Sequence, residues 1–331
     1  MHKMMFYAHK IILGFYPKLL NNINTNVTIT IVRDNFLMRQ GLMSRTLYIN
    51  FKEIYMSKKI NPIIKPVIEA FQTTYYQTLN FAKNPGSAIN GLLAMGDAGM
   101  GKSHWIKKAL RDAGVTQNTE YIKGGTITAA SLYVKLYLNR FPHRILVLDD
   151  VDIISHPEKT KIVPLILGAV EEGRDRMCSW NTSKRNALME EHDVPFDFQF
   201  NGNVIVITNY TMNDIAEKLA QWKNAFSSRF VPVSCIFNHE QKYMYTKYLV
   251  ESENMLTDKC KVHKYSNNGK EYNGYPQHVI DEAMDYIDNN YEYFSNITPR
   301  VAIQLADTIF YNTDPMMKRV MLANLKAGNN L

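Results

Sequence analysis

The sequence has few cysteines and no long apolar run. Of its 331 residues only three are cysteines, Cys178, Cys235 and Cys260, and no two of them have the CxxC spacing of a zinc or redox site. Neither a disulfide framework nor a zinc site is therefore expected, and this usage of cysteine indicates an intracellular protein. Because no run of eighteen apolar residues is present, no membrane span and no membrane partner are predicted.

Net positive charge is also small outside one end of the chain. The whole sequence has a formal net charge of +7, but residues 1–55 hold seven Lys or Arg against two acids, a net of +5. Residues 56–331 therefore have a net charge of only +2. Bulk charge in that larger part gives little support for nucleic-acid binding.

Residues 1–55 lack sustained hydrophobic periodicity. The apolar stretch Ile11–Phe15 is too short for a convincing signal peptide. Lys52-Glu53 can be encoded by a bacterial ribosome-binding sequence, and it comes shortly before Met56, which opens a typical start of coding sequence. We therefore expect translation to begin at Met56, with residues 1–55 an extension that the native protein lacks.

A glycine-rich motif follows the apolar segment Leu92–Met95 and precedes a helix-like stretch, Trp105–Arg111. It matches GxxxxGK[ST], in which backbone N–H groups and a helix N-terminus together bind phosphate. Lys102 is expected to reach the β- and γ-phosphates, and the Ser103 hydroxyl to ligate Mg²⁺. We predict that nucleotide is bound by Gly96, Asp97, Ala98, Gly99, Met100, Gly101, Lys102, Ser103 and the adjacent His104.

Polar residues end two further apolar runs. Ile145–Leu148 reads as a strand buried on both faces and ends in Asp149-Asp150, at the edge where α/β sheets bind ligands. We expect Asp149 to hold Mg²⁺ and Asp150 to polarise the attacking water. The strand at residues 204–208 ends in Asn209, which could position that water, although Asn is also a common turn former.

These motifs, in this order, resemble the AAA+ ATPases over roughly residues 57 to 312. GDAGMGKS is similar to Walker A, ILVLDD to Walker B and VIVITN to sensor 1, while FSSRF and TPRVAIQLA look like the arginine-finger box and the sensor 2 helix. The resemblance implies ATP bound between subunits of a homo-oligomeric ring or spiral. It also implies that Arg229 reaches the neighbour's γ-phosphate and that Arg300 contacts nucleotide from the lid of its own subunit. A surface salt bridge for Arg229 and a helix-start cation for Arg300 are the alternatives.

The expected fold class is α/β, a P-loop NTPase parallel sheet flanked by helices with a C-terminal α-helical lid. The expected ATPase domain covers residues 56–235 and the lid residues 236–331. Within these domains, residues 164–172 read as a helix, and the Phe-Asp-Phe-Gln-Phe alternation at 196–200 suggests a small hairpin. Residues 266–275 read as a polar loop.

Two classes of function remain open. Asp150 stands where most family members have Glu, and Asp-Asp together with FSSRF is slightly closer to the replication-initiator and helicase-loader branch. In the first class, the ATPase acts on nucleic acid or on a replication or packaging protein. The alternative is a chaperone-like ATPase that remodels proteins, although the stretch after Tyr121 reads Ile-Lys-Gly-Gly and lacks the aromatic loop tip of threading members. Many Asn, Lys, Ile and Tyr residues suggest a phage gene, and we expect a cytoplasmic protein, within the host cell if so.

Overall fold

The computed structural model describes residues 60–84, 87, 89–173, 176–181, 184–257, 264–312 and 314–328. The expected extension at residues 1–55 and the start at Met56 lie outside the described residues. The first part of the described chain contains α1 (Lys65–Lys83), β1 (Gly91–Gly96), α2 (Lys102–Asp112), β2 (Thr119–Lys123), α3 (Ala129–Leu138), β3 (Ile145–Asp149), α4 (Lys159–Ala169), β4 (Met177–Ser179), α5 (Ala187–Glu191), β5 (Asp197–Gln199), β6 (Asn203–Thr208), α6 (Met212–Lys218), α7 (Lys223–Arg229) and β7 (Phe230–Cys235). The second part contains α8 (His239–Glu251), β8 (Lys264–Asn267), β9 (Lys270–Asn273), α9 (Gln277–Asn290), α10 (Pro299–Tyr311) and α11 (Pro315–Gly328).

Within the described residues, five strands form a parallel sheet in the order β2, β3, β6, β1, β7. All residues of β1, β3 and β6 are buried, as expected for central strands of a parallel sheet that is covered on both faces. Because the strands are parallel, their carboxyl ends all lie at one edge of the sheet. The loops that follow β1, β3 and β6 therefore meet at that edge.

The two faces of the sheet bury alternate residues of the same strands. Leu93, Leu146 and Val206 belong to one apolar cluster that includes residues of α3 and α4. Their neighbours along the strands, such as Leu92 and Ile205, are completely buried as well, because successive side chains of a strand point to opposite faces. Helices α1 and α2 pack against each other, with the ring of Phe71 stacked 6.4 Å from that of Trp105.

The second part of the chain has an apolar core of its own. It includes Ile287, Phe294 and Leu305, contributed by α9, by the turn after it and by α10. The predicted fold class, a parallel α/β sheet flanked by helices and followed by a helical region, is confirmed. The domain boundary at residue 235 stays a prediction. Among the described residues, no helix combines the length and apolar character needed to cross a bilayer.

The prediction of a polar loop at residues 266–275 is wrong. Most of this segment belongs to an antiparallel hairpin of β8 and β9, in which Asn267 is opposite Lys270. Asn268 and Gly269 form the turn, with φ values of 51° and 75°. Asn-Gly favours such two-residue hairpin turns because both residues tolerate positive φ. The Asn-Gly turn therefore allows this segment to form a hairpin despite its polar composition.

Two other elements also differ from the prediction. The helix predicted from residue 164 begins earlier, because α4 starts at Lys159 and contains Pro164. Pro164 is exposed, so the carbonyl that loses its helical donor lies on the solvent side. The aromatic segment at residues 196–200 does not form a hairpin by itself. Its strand, β5, pairs with β4, with Phe198 opposite Cys178, and α5 lies in the connection between the two strands.

Candidate functional site

The glycine-rich loop joins β1 to α2 at the carboxyl edge of the sheet. Gly96 has a φ of 128°, and a Cβ atom at this position would lie 2.2 Å from the carbonyl oxygen of Cys235. Only glycine satisfies both the backbone angle and this close approach. Gly101, with a φ of 110°, then leads into the first turn of α2. The loop thus has the strand, turn and helix context that phosphate binding requires.

Lys102 is held at the centre of the loop. Its ammonium Nζ donates to the carbonyl oxygens of Gly96 at 2.6 Å and Asp97 at 2.8 Å, and to Oδ1 of Asn209 at 3.1 Å. The side chain is buried, and this burial lowers the pKa of Lys102, while nearby acidic groups oppose that shift. A buried ammonium at the loop's centre is suited to bind an anion in exchange for these contacts.

Ser103 and Asp149 meet as the sequence predicts for two ligands of one cation. The hydroxyl of Ser103 donates to Oδ1 of Asp149 at 2.7 Å. Asp149 is buried, and its Oδ2 has no hydrogen-bond partner in the described part of the chain. A buried carboxylate oxygen without a partner is costly, and a hard cation such as Mg²⁺ would satisfy it.

The donor set around Asp149 fits Mg²⁺ bound together with a nucleotide. Within the described residues, no group of three or more His, Cys, Asp or Glu side chains could hold a metal ion. Magnesium in phosphate-transfer sites takes one or two protein oxygens and completes its octahedron with water and phosphate. Ser103 and Asp149 can supply those protein oxygens.

Asn209 joins Lys102 to Asp150. Its amide Nδ2 donates to Oδ1 of Asp150 at 2.8 Å, while its own Oδ1 accepts from Lys102. Asp150 is exposed and has a φ of 59°, a backbone angle that Asp and Asn tolerate better than most residues. The structure therefore brings together the three side chains that the sequence assigned separately to phosphate, water and water positioning.

Arg229 lies at the amino-terminal end of the sheet strands, opposite the end that carries the glycine-rich loop. It directly precedes β7, whose first residue, Phe230, is paired with Gly91 at the start of β1. The glycine-rich loop of residues 96–103, called the phosphate loop below, begins at Gly96, the last residue of β1. Arg229 and the phosphate loop are therefore separated by a strand's length, about 16 Å at ~3.3 Å per residue. Nη2 of Arg229 contacts both carboxylate oxygens of Glu171, at 2.7 and 2.8 Å.

Arg300 lies beside the phosphate loop, in the first turn of α10. A Cβ atom built on Gly99 would be 3.3 Å from Cβ of Arg300 and 2.9 Å from Oγ1 of Thr298. The side chain of Arg300 is exposed, so its charged end can turn towards the loop. His104 is exposed on α2, where its ring meets the edge of Trp105 at a centroid distance of 6.0 Å.

Lys242, on α8, is a further residue at the site that was not predicted from the sequence. Its Nζ lies 3.0 Å from Oδ2 of Asp97 in the phosphate loop and 3.1 Å from Oδ1 of Asn296. No motif or spacing relates Lys242 to the loop. The contact depends on tertiary packing alone, so no sequence pattern could have identified Lys242.

The chain shows only limited similarity to known proteins. No family model matches the chain. The chain is 27% identical over 226 residues to an uncharacterized 36.7 kDa protein from the nrdC–mobD intergenic region of Enterobacteria phage T4. That alignment covers 67% of this chain and 64% of the phage protein, so it spans less than two-thirds of the relative.

Two solved structures are also similar. Domain III of the replication initiation protein DnaA from Thermotoga maritima has a TM-score of 0.39 and 14% identity, over 82% of this chain and 95% of that one. NtrX from Brucella abortus has a TM-score of 0.40 and 11% identity, over 92% of this chain and 59% of that one. Likeness of this extent does not assign the chain to a family.

Proposed function

We propose that the chain binds ATP with Mg²⁺ at the loop of residues 96–103 and hydrolyses it. The observation that carries this proposal is the convergence of Lys102, Asn209 and Asp150 in one hydrogen-bonded chain beside the Ser103–Asp149 pair. A cation, an amide and carboxylates at the end of a glycine-rich loop are the groups that phosphoryl transfer needs. Ser103 and Asp149 would hold Mg²⁺, which would neutralise negative charge on the phosphates.

In this proposal each polar side chain has a separate role. Lys102 exchanges its contacts with the loop carbonyls for phosphate oxygens, so that its buried positive charge is paired with negative charge. Asp150 accepts a hydrogen bond from the attacking water and orients it. Asn209 keeps Asp150 and Lys102 at a fixed separation, because its amide bonds to both. Arg300 contacts the phosphates from α10.

We further propose that Arg229 acts on the nucleotide of a neighbouring subunit in a homo-oligomer. Arg229 lies a strand's length from its own phosphate loop, so it is poorly sited to serve that loop. It lies next to an exposed surface, where Glu171 holds its guanidinium in the isolated subunit. Arginine suits the role because its planar fork matches phosphate oxygens. A ring or spiral of subunits would bring the two sites together.

The proposed client is nucleic acid or a replication-type complex. The exposed Lys123 is followed by Gly124 and Gly125, both with positive φ, and a Cβ atom on either glycine would have no neighbour within 4 Å. A cation on an open glycine loop suits contact with a phosphate backbone. Gly124 donates to the carbonyl of Asp149 at 2.8 Å, which links this loop to the candidate metal site. The similarity to a phage T4 protein supports a phage origin.

The decisive experiment measures ATP hydrolysis with single-stranded DNA, double-stranded DNA, RNA and unfolded protein added in turn. The control is the Lys102→Ala variant, which lacks the ammonium of the phosphate loop. Stimulation by nucleic acid alone supports the proposed client, whereas stimulation by unfolded protein alone identifies a protein-remodelling ATPase. Absence of hydrolysis under every condition contradicts the proposed activity.

A further inference from the structure

The phosphate loop contains an acid at its second position. Oδ2 of Asp97 lies 3.0 Å from Nζ of Lys242, and it accepts a weaker bond from the backbone N–H of Phe237 at 3.4 Å. The carbonyl oxygen of the same residue accepts from Lys102 at 2.8 Å. Asp97 therefore lies between two lysines, one from the loop itself and one from α8.

The pair with Lys242 is well shielded from water. The side chain of Lys242 is 13% exposed and that of Asp97 is 30% exposed. Lys242 is further fixed by Oδ1 of Asn296, which lies two residues before Thr298. Thr298 is the residue that approaches Gly99 of the same loop. The contact thus belongs to a junction between the phosphate loop and the helical region, and solvent screens it less than an exposed pair.

The negative charge of Asp97 affects how well the loop can bind a nucleotide. A loop that binds a polyanion must not present a free carboxylate to it, because like charges at short range repel strongly where water is scarce. Asp97 is such a carboxylate, and the ammonium of Lys242 neutralises it. Removing Lys242 would leave an unneutralised negative charge in the loop. This charge would repel a nucleoside triphosphate more strongly than a diphosphate, because the triphosphate has the larger negative charge.

We propose that Lys242 is a positioning residue of the nucleotide site, supplied by the helical region. It neutralises Asp97 and so makes the loop competent to bind a nucleoside triphosphate. This inference rests on the proposed function, since it concerns the affinity of the same loop for nucleotide. It also makes nucleotide affinity depend on contact between α8 and the loop.

The test is a double-substitution cycle on the full chain. Binding of ADP and of AMP-PNP, a triphosphate analogue that is not readily hydrolysed, is measured by calorimetry with Mg²⁺ for wild type, Lys242→Gln, Asp97→Asn and the double variant. Lys242→Gln is expected to weaken AMP-PNP binding roughly tenfold, a typical coupling between two sites, and ADP binding less. The double variant should regain most of the lost affinity, because it no longer has an unpaired acid.

Two matched variants separate charge from packing. Lys242→Arg keeps the charge and is expected to bind like wild type. Lys247→Gln removes another lysine of the same helix, one paired with Asp288 away from the loop, and should also leave binding unchanged. If Lys242→Gln does not fold, Lys242→Met takes its place in the cycle, since it keeps the length of the side chain and removes only the charge.

The contrary results are equally specific. Unchanged AMP-PNP binding in Lys242→Gln overturns the inference, and so does a double variant as weak as Lys242→Gln, because both mean that the charge of Asp97 does not matter. A wild-type chain that binds neither ADP nor AMP-PNP overturns the proposed function itself, which is a different outcome from wild-type binding that Lys242 does not affect.

Discussion

Arg229 and Glu171 form an ion pair in which a single guanidinium nitrogen contacts both carboxylate oxygens, at 2.7 and 2.8 Å. The carboxylate is half exposed, and the arginine Nε is buried without a hydrogen-bond partner among the described residues. A pair of this kind contributes about 0–1 kcal/mol to stability, so it is a weak reason for the arginine to be present. It can, however, hold the side chain ordered until a stronger anion replaces the carboxylate.

The first prediction concerns Arg229. Replacing it with Ala should leave nucleotide binding intact and lower the rate of hydrolysis by roughly 10³–10⁵, the range for arginine fingers in phosphoryl transfer. Specific activity of the wild type should rise with protein concentration as subunits assemble. Mixing Arg229→Ala with Lys102→Ala subunits should recover part of the activity, because some interfaces then combine an intact loop with an intact arginine. Steady-state phosphate release measures each of these quantities.

Glu171→Gln is the matched control for that prediction. It breaks the same ion pair but keeps the arginine, so hydrolysis should remain within a few-fold of wild type. If Arg229→Ala and Glu171→Gln have equal effects, the ion pair rather than the arginine is important. If hydrolysis per site is independent of concentration and Arg229→Ala is harmless, the protein works as a monomer and the assignment is wrong.

The fold could be predicted from the sequence wherever the signal was local. The apolar runs of β1, β3 and β6 need no partner to be recognised, because strands buried on both faces are continuously apolar. The phosphate loop is likewise contained within eight consecutive residues. The β8–β9 hairpin was missed because its strands are short and polar, although its Asn-Gly turn was a usable signal.

The parts of the site that were missed depend on tertiary packing. Lys242 approaches Asp97 only because α8 begins just after the end of β7, at the edge of the sheet that carries the loop. The contact between Arg229 and Glu171 also depends on tertiary packing, because Glu171 lies just after α4 and is far from Arg229 in the sequence. Neither contact has a periodicity or spacing that a single sequence could reveal.

The second prediction is that Lys102→Ala loses tight nucleotide binding. Removing the ammonium takes away the cation at the centre of the loop and leaves the carbonyls of Gly96 and Asp97 without their donor. ADP affinity, measured by calorimetry, should fall by more than about tenfold, as expected when a charged hydrogen bond is lost. Lys108→Ala, which removes a surface lysine paired with Asp112 on the same helix, should bind normally. Equal affinity in wild type and Lys102→Ala would mean that nucleotide binds elsewhere.

The third prediction compares two glycines by their surroundings. Gly96→Ala should lower the free energy of unfolding by about 2–4 kcal/mol, because its Cβ would meet the Cys235 carbonyl at 2.2 Å in addition to the backbone strain. Gly124→Ala has a φ of 64° and no neighbour within 4 Å, so it should cost only about 1–2 kcal/mol. Urea unfolding of both variants measures the difference. Equal costs would contradict the close contact between the loop and β7.

The fourth prediction concerns the reactivity of a thiol. Burial raises the pKa of Cys178 to about 12, from an ordinary value of 9.0. The thiolate is the reactive species, and at pH 9 about half of ordinary cysteine thiols are ionised, compared with about one in 10³ at Cys178. Alkylation by iodoacetamide, followed by mass spectrometry of the peptide, should therefore be on the order of 10³-fold slower in native protein than in urea. Comparable rates in the two states would show that Cys178 is accessible.

The fifth prediction is that Asp150→Asn binds ATP but hydrolyses it slowly. Asn tolerates the positive φ of this position, and its side-chain oxygen can still accept the bond from Asn209, so the loop keeps its shape. What is lost is the negative charge that polarises water, which lowers the hydrolysis rate by a factor on the order of 10² or more. Single-turnover hydrolysis with enzyme in excess over ATP separates this chemical step from binding.

Asp152→Asn is the matched control for Asp150→Asn. Asp152 lies two residues further along the same turn, and its Oδ1 accepts from the backbone N–H of Ser155. An amide oxygen can accept that bond equally well, so hydrolysis by Asp152→Asn should stay close to wild type. The opposite pattern, a slow Asp152→Asn and a normal Asp150→Asn, would assign the water to Asp152. The hydrogen bond between Asn209 and Asp150 would then have a purely structural role.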